Sequence, residues 1–243
     1  MYWSVWVLLS FLGSEPSTTR EQTWFLESAQ APLTVIVFVP YATIEVVAGT
    51  SNKVHMMLTG GPAATLVGMA ELGERKLSLN APGNANLVNL RLEVPKRTHL
   101  SLRSDNGGTI TVRGVVGNMD LQNSNGNVVL DEVGGALLVA TSNGYIEGTV
   151  TEVVPDTPMS FLTSNHRINL QFPQDLKAVF HLESDNGTLE TSFPLTPTSP
   201  PAKFRGNLPS HGHTRLLYGR VNGGGPLYRF ATTNGNITIR RAP

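Results

Sequence analysis

The stretch Ser104–Gly148 reads SDNGGTITVRGVVGNMDLQNSNGNVVLDEVGGALLVATSNGYIEG, and its Ser-Asn-Gly triplet recurs elsewhere in the chain. Apolar residues occupy every second position before each triplet, which is the period of a β-strand that buries one face. In most copies the alternation resumes three residues after the Asn, as at Val128 and Leu130. The stretch therefore predicts a strand, a corner and a second strand, repeated along the chain.

The copies recur at nearly constant spacing. Their Asn residues lie at positions 106, 125, 143, 165 and 186, and a further copy follows near the end of the chain. A spacing near 20 residues accommodates two strands of ordinary length and two tight turns. The residues predicted to form the corners are Asn106, Gly107, Asn125, Gly126, Asn143, Gly144, Asn165, His166, Asn186, Gly187, Asn234 and Gly235.

We interpret these corner residues as structural, because Asn and Gly tolerate the left-handed backbone of a tight turn. The functional alternative is a row of Asn amides presented to a carbohydrate. His166 stands where other copies carry Gly, and a left-handed corner would cost a non-Gly residue about 1–2 kcal/mol. Replacing His166 by Gly is therefore predicted to stabilise the fold slightly. The alternative at this corner is that His166 and Arg167 form a recognition pair.

The predicted fold class is all-β, a β-solenoid (single-stranded and β-helix-like) with coils of roughly 20 residues. Stacked coils place like residues on like, so that rows of Asn, Ser and Thr gain hydrogen bonds between coils. The alternative is an antiparallel β-meander or sandwich, in which each Asn-Gly pair is a two-residue hairpin turn.

The chain is predicted to hold one solenoid domain, residues 32–243, after a leader segment, residues 1–31. Its parts are irregular N-terminal strands (32–99), regular repeats (100–193), a Pro/Gly-rich insertion (194–226) and a closing repeat (227–243). The insertion contains the run PLTPTSPPAKFRGNLP, and so many prolines exclude central strands.

The leader prediction depends on the apolar run Trp3–Leu12. This run has the length of a signal-peptide core and is too short for a membrane span, which needs about 20 residues. Cleavage is expected between about residue 14 and residue 32. No Lys or Arg precedes the run, so an apolar tail buried against the domain is the alternative.

The net charge and the absence of Cys limit the partners and the kinds of site that the chain could have. The 18 basic residues balance the 18 acidic ones, which gives no electrostatic reason to expect nucleic acid or an anionic membrane. The chain contains no Cys, and this excludes disulfides, thiolate metal sites and Cys nucleophiles. The expected partners are a surface carbohydrate or a protein, without nucleic acid and without a transmembrane span.

The sequence assigns no catalytic residue, metal ligand or cofactor. Four carboxylates lie near predicted turns: Asp120, Asp131, Glu132 and Glu147. A parallel β-helix can carry acid/base carboxylates of this kind, but no GxSxG, P-loop, HExxH or dinucleotide fingerprint is present. His211 and His213 supply only two of the ligands that a zinc site needs. The Asp residues do not recur at the spacing of calcium-binding nonapeptides.

The order of these elements resembles the bacterial putative-adhesin family of SNG-repeat domains. The stretch Ser104–Gly148 carries the resemblance, and LRLEVPKRTHLSL (Leu90–Leu102) is similar to the family's segment that leads into the repeats. The run VNGGGPLYRFATTNGNITIRR (Val221–Arg241) is similar to its closing segment. The resemblance covers roughly residues 85–243.

This resemblance implies a β-solenoid on a secreted or cell-envelope protein, and the family offers no catalytic residues to transfer. The expected function is therefore a non-catalytic, exported adhesion or cell-envelope module. The alternatives are a carbohydrate-active parallel β-helix enzyme and an assembly scaffold that polymerises through its end strands. The sequence names neither a ligand nor an oligomeric state.

Overall fold

A computed structural model describes residues 19–26, 31–60, 70–73, 75–80, 88–199 and 214–242. The described residues form strands and turns and contain no helix. The first strands are β1 (Thr19–Phe25), β2 (Leu33–Phe38), β3 (Ala42–Gly49), β4 (Lys53–Gly60), β5 (Ala70–Leu72), β6 (Lys76–Asn80), β7 (Val88–Pro95), β8 (Thr98–Ser104), β9 (Ile110–Arg113), β10 (Met119–Asn123) and β11 (Val128–Gly135). The remaining strands are β12 (Leu137–Thr141), β13 (Ile146–Val153), β14 (Met159–Thr163), β15 (Ile168–Phe172), β16 (Ala178–Ser184), β17 (Leu189–Thr191), β18 (Leu195–Pro197), β19 (Arg215–Val221), β20 (Leu227–Thr232) and β21 (Ile237–Arg241).

The strands form two large mixed sheets around one core. Sheet A has the order β1-β4-β7-β3-β9-β11-β13-β15-β21-β17, and sheet B has the order β18-β19-β16-β20-β14-β12-β10-β8-β2-β6-β5. The ring of Phe172 in sheet A lies 6.1 Å from that of Phe161 and 6.0 Å from that of Phe230, both in sheet B. The all-β prediction is confirmed, and the two layers fit the sandwich alternative.

The repeats pair in parallel. The chain passes alternately between the sheets from β8 to β15, and each strand pairs with the equivalent strand of the next copy. Met119 thus lies opposite Leu137 in sheet B, and Val128 lies opposite Ile146 in sheet A. Within the described residues, antiparallel ladders occur only toward the two ends of the sheets. The antiparallel meander is therefore wrong for the repeats.

The inward side chains stack in rows along the sheets. One such row in sheet A consists of Ile110, Val128, Ile146, Ile168 and Ile237, all with no exposed surface. Burying each aliphatic side chain of this size contributes about 1.5–3 kcal/mol. The period-2 pattern of the sequence is thus the pattern of these rows, because alternate residues of a strand face one side of its sheet.

The closing repeat lies inside the stack. Strand β20 lies between β14 and β16, and β21 lies between β15 and β17, although β16 and β17 precede both in the chain. The other end has the same arrangement, with β2 between β6 and β8 and β3 between β7 and β9. Each end of the domain thus contributes strands that lie inside the sheets and are paired on both edges.

Two predicted boundaries change. Strand β1 pairs with β4 along its whole length, and Trp24 is only 5% exposed, so the domain begins by Thr19 and not at residue 32. The leader prediction itself falls on residues 1–18 and 27–30, which lie outside the described residues. The insertion contributes β18, with Pro197 at the outer edge of sheet B, and β19. An edge is the position in a sheet that tolerates proline.

We predict that the backbone amides of β20 and β21 exchange with solvent hydrogen as slowly as those of β14 and β15. The reason is that both edges of these closing strands are hydrogen-bonded, whereas chain ends commonly fray. Strands β17 and β18, which each have one free edge among the described residues, should exchange faster. Hydrogen–deuterium exchange with peptide-level mass spectrometry measures this order. Exchange of β20–β21 at the rate of β18 would contradict the inserted arrangement.

Candidate functional site

The exposed side chains of the corner Asn residues form one hydrogen-bonded ladder. Each Nδ2 donates to the Oδ1 of its neighbour at 2.7 to 2.9 Å. The spatial order of the ladder is Asn186, Asn234, Asn165, Asn143, Asn125 and Asn106. Because these amides bond to one another, the ladder stabilises the stack and leaves each amide less hydrogen-bonding capacity for a ligand.

A second row of polar side chains is buried behind this ladder. Thr141 Oγ1 donates to the carbonyl oxygen of Gly126 at 2.8 Å, and Thr163 Oγ1 donates to that of Gly144 at 2.8 Å. The same position, two residues before the corner Asn, is occupied in the remaining copies by Ser104, Asn123, Ser184 and Thr232, which make equivalent bonds. Buried polar groups need such partners, because an unpaired one costs about 1–3 kcal/mol.

Close packing, and not a left-handed backbone, explains the corner glycines, although His166 occupies the equivalent position in its own copy. None of the corner residues has a positive φ. A Cβ on Gly126 would overlap the carbonyl oxygen of Gly108, and one on Gly144 would overlap that of Gly126. The left-handed explanation for these corners is therefore wrong, and so is the expectation that His166 is strained by such a backbone.

The corner at His166 is exposed, and its neighbour is already engaged. Arg167 Nη2 donates to Glu147 Oε2 at 2.9 Å, and its guanidinium lies 4.4 Å from the centre of the Tyr145 ring. The carbonyl oxygen of His166 accepts a hydrogen bond from the hydroxyl of Thr232 at 3.0 Å. Both residues thus have contacts within the stack, and whether they also recognise a partner stays a prediction.

A shallow polar groove lies on the outer face of sheet A. Its volume is about 270 Å³, and its lining includes Asp131, Glu147, Asn169 and Gln171. The structure thus brings two of the four candidate carboxylates to one groove. Asp120 lies instead on sheet B, and Glu132 is exposed at an irregular position of β11 with φ 53°. Glu147 is already bonded to Arg167, and the polar side chains of Asp131, Asn169 and Gln171 also line the groove. The groove is therefore suited to binding a ligand through hydrogen bonds.

A second, more apolar groove lies on the outer face of sheet B. Its volume is about 470 Å³. Side chains that border it include Ile36, Leu138, Pro158, Ser101 and Asp120. No single sequence motif indicated this groove, because its walls come from four different strands and a turn.

A larger opening of about 810 Å³ lies at the C-terminal end of the stack. Leu189, Phe193, Leu195 and Leu217 line it. It forms where β17, which has three residues, is shorter than the strands before it. The opening therefore follows from the end of sheet A and belongs to neither outer face.

Two ionisable groups are buried away from the two outer-face grooves. His181 is 3% exposed, with Nε2 3.4 Å from Glu183 Oε2, and burial lowers its pKa against the opposing effect of Glu183. Burial also raises the pKa of Tyr228 to about 12. Desolvation disfavours the charged form of both groups, so each is neutral near pH 7.

Neither a metal-binding cluster nor a membrane-spanning helix is found in the described part of the chain. Its residues contain no group of three or more His, Asp or Glu side chains that could hold a metal ion. They also contain no helix of the length and apolarity needed to span a membrane. His211 and His213 lie outside the described residues.

Comparison with solved structures finds proteins with adhesin names. A putative cell adhesion protein from Clostridium sporogenes matches with a TM-score of 0.52 and 10% identity, over 93% of this chain and 100% of its own. A putative adhesin from Bacteroides fragilis matches with a TM-score of 0.33 and 12% identity, over 95% of this chain and 100% of its own. No family model and no curated protein sequence matches the chain. At 10% identity, the first likeness shows a shared fold alone.

We predict that Gly144→Ala lowers the free energy of unfolding by about 1–3 kcal/mol, because the added methyl group has to displace the backbone of the neighbouring coil. Gly73→Ala is the matched control, since its Cβ would meet only the Lys76 carbonyl oxygen at 3.8 Å. Urea unfolding followed by circular dichroism measures both. Equal stabilities of the two variants would contradict close packing as the reason for glycine.

For His166→Gly, the structure reverses the direction expected from the sequence. With no left-handed strain to relieve, the main effect is the greater freedom of Gly in the unfolded chain. We expect a loss of up to about 1 kcal/mol in the free energy of unfolding. The same urea titration measures it, with His166→Ala as the control that keeps a Cβ. An increase in stability for His166→Gly alone would restore the strained-corner interpretation.

Proposed function

We propose that the repeats form a β-solenoid and that the protein is a non-catalytic, exported adhesion or cell-envelope binding module. The observation that carries the proposal is the parallel winding of the chain between two sheets, from β8 to β15. This winding fills the interior with apolar side chains and leaves the outer sheet faces and the corner as the surfaces open to a partner. The fold likeness to a putative cell adhesion protein supports the same role.

A carbohydrate-active enzyme is the second candidate, and one observation favours it. Asp131 and Glu147 border the same groove on sheet A, as an acid/base pair would. However, Glu147 Oε2 accepts a hydrogen bond from Arg167 Nη2 at 2.9 Å, so this carboxylate is already engaged by a neighbouring side chain of the stack. The groove therefore supports binding better than hydrolysis.

The assembly scaffold is less well supported by the ends of the sheets. Among the described residues, the free edges belong to β1 and β17 in sheet A and to β18 and β5 in sheet B. Three of these strands have three residues each, and β18 includes Pro197. Short edge strands and proline oppose pairing with a further chain.

We predict that polystyrene beads coated with residues 19–243 bind cell-envelope fragments of the native host more strongly than beads coated with the heat-unfolded protein. Binding should need the ordered sheet faces, because the unfolded chain cannot present them. Flow cytometry with labelled fragments measures the difference, and reducing-sugar release from the same fragments measures turnover. Sugar release that disappears in Asp131→Asn or Glu147→Gln would support the enzyme instead. Equal binding by folded and unfolded protein would contradict the adhesion proposal.

Export gives a separate prediction about the mature N-terminus. If Trp3–Leu12 is the core of a signal peptide, cleavage should remove it and keep β1, because β1 completes the edge of sheet A and buries Trp24. The mature chain is therefore expected to begin between residues 14 and 19. N-terminal sequencing of the protein from culture medium or envelope fractions measures this. An intact Met1 on protein from the cytoplasmic fraction would contradict export.

A further inference from the structure

The apolar groove on sheet B contains a carboxylate that forms no ion pair with any residue in the described part of the chain. Asp120 lines the groove between Ser101 and Leu138 in the register of sheet B, and its Oδ1 accepts a hydrogen bond from Gln122 Nε2 at 3.1 Å. The ion pairs found among the described residues involve other acids, such as Asp105 with Arg103 and Glu152 with Lys96. A carboxylate among apolar walls is complementary to a positively charged group, and the apolar surroundings strengthen that attraction.

The register of sheet B explains how the groove forms. Ile36, Ser101, Asp120 and Leu138 lie opposite one another on four adjacent strands, and all face outward. Ser101 is small, so a depression remains between the apolar side chains of Ile36 and Leu138. Leu138 is 54% exposed, which is unusual for a large aliphatic side chain in a strand of this stack. Thr157 and Pro158 raise one rim.

We propose that this groove binds a lysine side chain of a partner protein. The aliphatic stem of a lysine would lie against Leu138, Ile36 and Pro158, and its ammonium group would reach Asp120. Lysine stems lie on apolar surface in this way while the charged end finds a polar partner. The inference deepens the proposed binding role, on which it rests, by assigning a surface and a partner chemistry.

Lysine fits the groove better than arginine. The guanidinium group of arginine is a planar fork that binds both oxygens of a carboxylate, whereas the ammonium of lysine is a compact donor. Because Gln122 already occupies Oδ1 of Asp120, one oxygen remains fully available. The hydroxyl of Ser101, next to Asp120 in the ladder, can accept a second ammonium hydrogen. His99 is held at the rim by the bond from the Asn118 amide to its Nδ1, at 2.9 Å.

The test uses the full chain labelled with ¹⁵N and titrated with Nα-acetyl-L-lysine N-methylamide. The amide signals of Ser101, Asp120 and Leu138 are expected to shift and saturate. Nα-acetyl-L-norleucine N-methylamide, which has a similar aliphatic stem without the ammonium group, should bind at least about tenfold more weakly. The arginine analogue should also bind more weakly than lysine. Raising the salt concentration should weaken lysine binding, because the contact is partly exposed.

Two variants assign the binding to the groove. Asp120→Asn keeps the shape of the side chain and removes its charge, and it should weaken lysine binding at least about tenfold. Asp175→Asn is the matched control, because Asp175 is an exposed carboxylate in the turn before β16, and it should bind as the wild type does. Ser101→Lys places an ammonium group beside Asp120 and should abolish binding by occupying the groove, which gives a second readout if Asp120→Asn folds poorly.

Several outcomes would overturn the proposal. These are an absence of saturable shifts at the groove, equal binding of the norleucine analogue, and unchanged binding in Asp120→Asn. Tighter binding of glucosamine than of the lysine probe would assign the groove to an amino sugar instead. The titration requires neither export nor adhesion. A failed bead assay together with a successful titration would therefore contradict the adhesion proposal and still support the lysine-binding groove.

Discussion

The fold depends on how closely the backbone of one coil approaches the next at the Ser-Asn-Gly corner. Adjacent parallel strands lie about 4.8 Å apart, and at the corner this spacing brings the carbonyl oxygen of one coil against the Cα of a glycine in the next. The same carbonyl accepts a hydrogen bond from a buried hydroxyl, as Gly126 does from Thr141. The short distance between the backbones of adjacent coils thus accounts for three features of the corner, which are the glycine, the buried Ser or Thr and the exposed Asn.

The ends of the stack meet a second constraint, which is that a sheet must stop without offering long unpaired edges. The chain satisfies it by placing β2, β3, β20 and β21 inside the sheets and by adding further strands outside them, of which the edge strands β5, β17 and β18 have three residues each. This arrangement requires contacts between distant residues, such as the bond between Asn165 and Asn234, which are 69 positions apart. The entropy cost of closing such a long loop grows only slowly with its length, so two additional paired edges can offset it.

The outer face of sheet B around Asp120 differs from the other outward positions of the stack, although one repeat pattern builds both sheets. Both faces present ion pairs, including Glu45 with Arg91 and Glu147 with Arg167 on sheet A and Glu183 with Arg229 on sheet B. Sheet B presents Ile36 and Leu138 on either side of Asp120, which has no such partner among the described residues. Inward positions are fixed by the core, so outward positions are where a binding function can vary without changing the fold. The outer face of sheet B is therefore the surface on which we place partner recognition.

The sequence by itself determined the strands, the corners and the side of each strand that is buried. The alternation around Val128 and Leu130 needs no tertiary information, because the period of a strand is a local property. Tertiary structure decided the rest. The repeat pattern does not predict which copies are neighbours, because every copy has similar residues and could stack on any other. The position of β20 and β21 next to β14 and β15 could therefore not be predicted from the sequence. The reason for glycine at Gly144 was hidden as well, since a left-handed turn and a close approach favour the same residue. The sheet B groove could not be foreseen because Ile36, Asp120 and Leu138 are separated in the chain and become neighbours only through strand register.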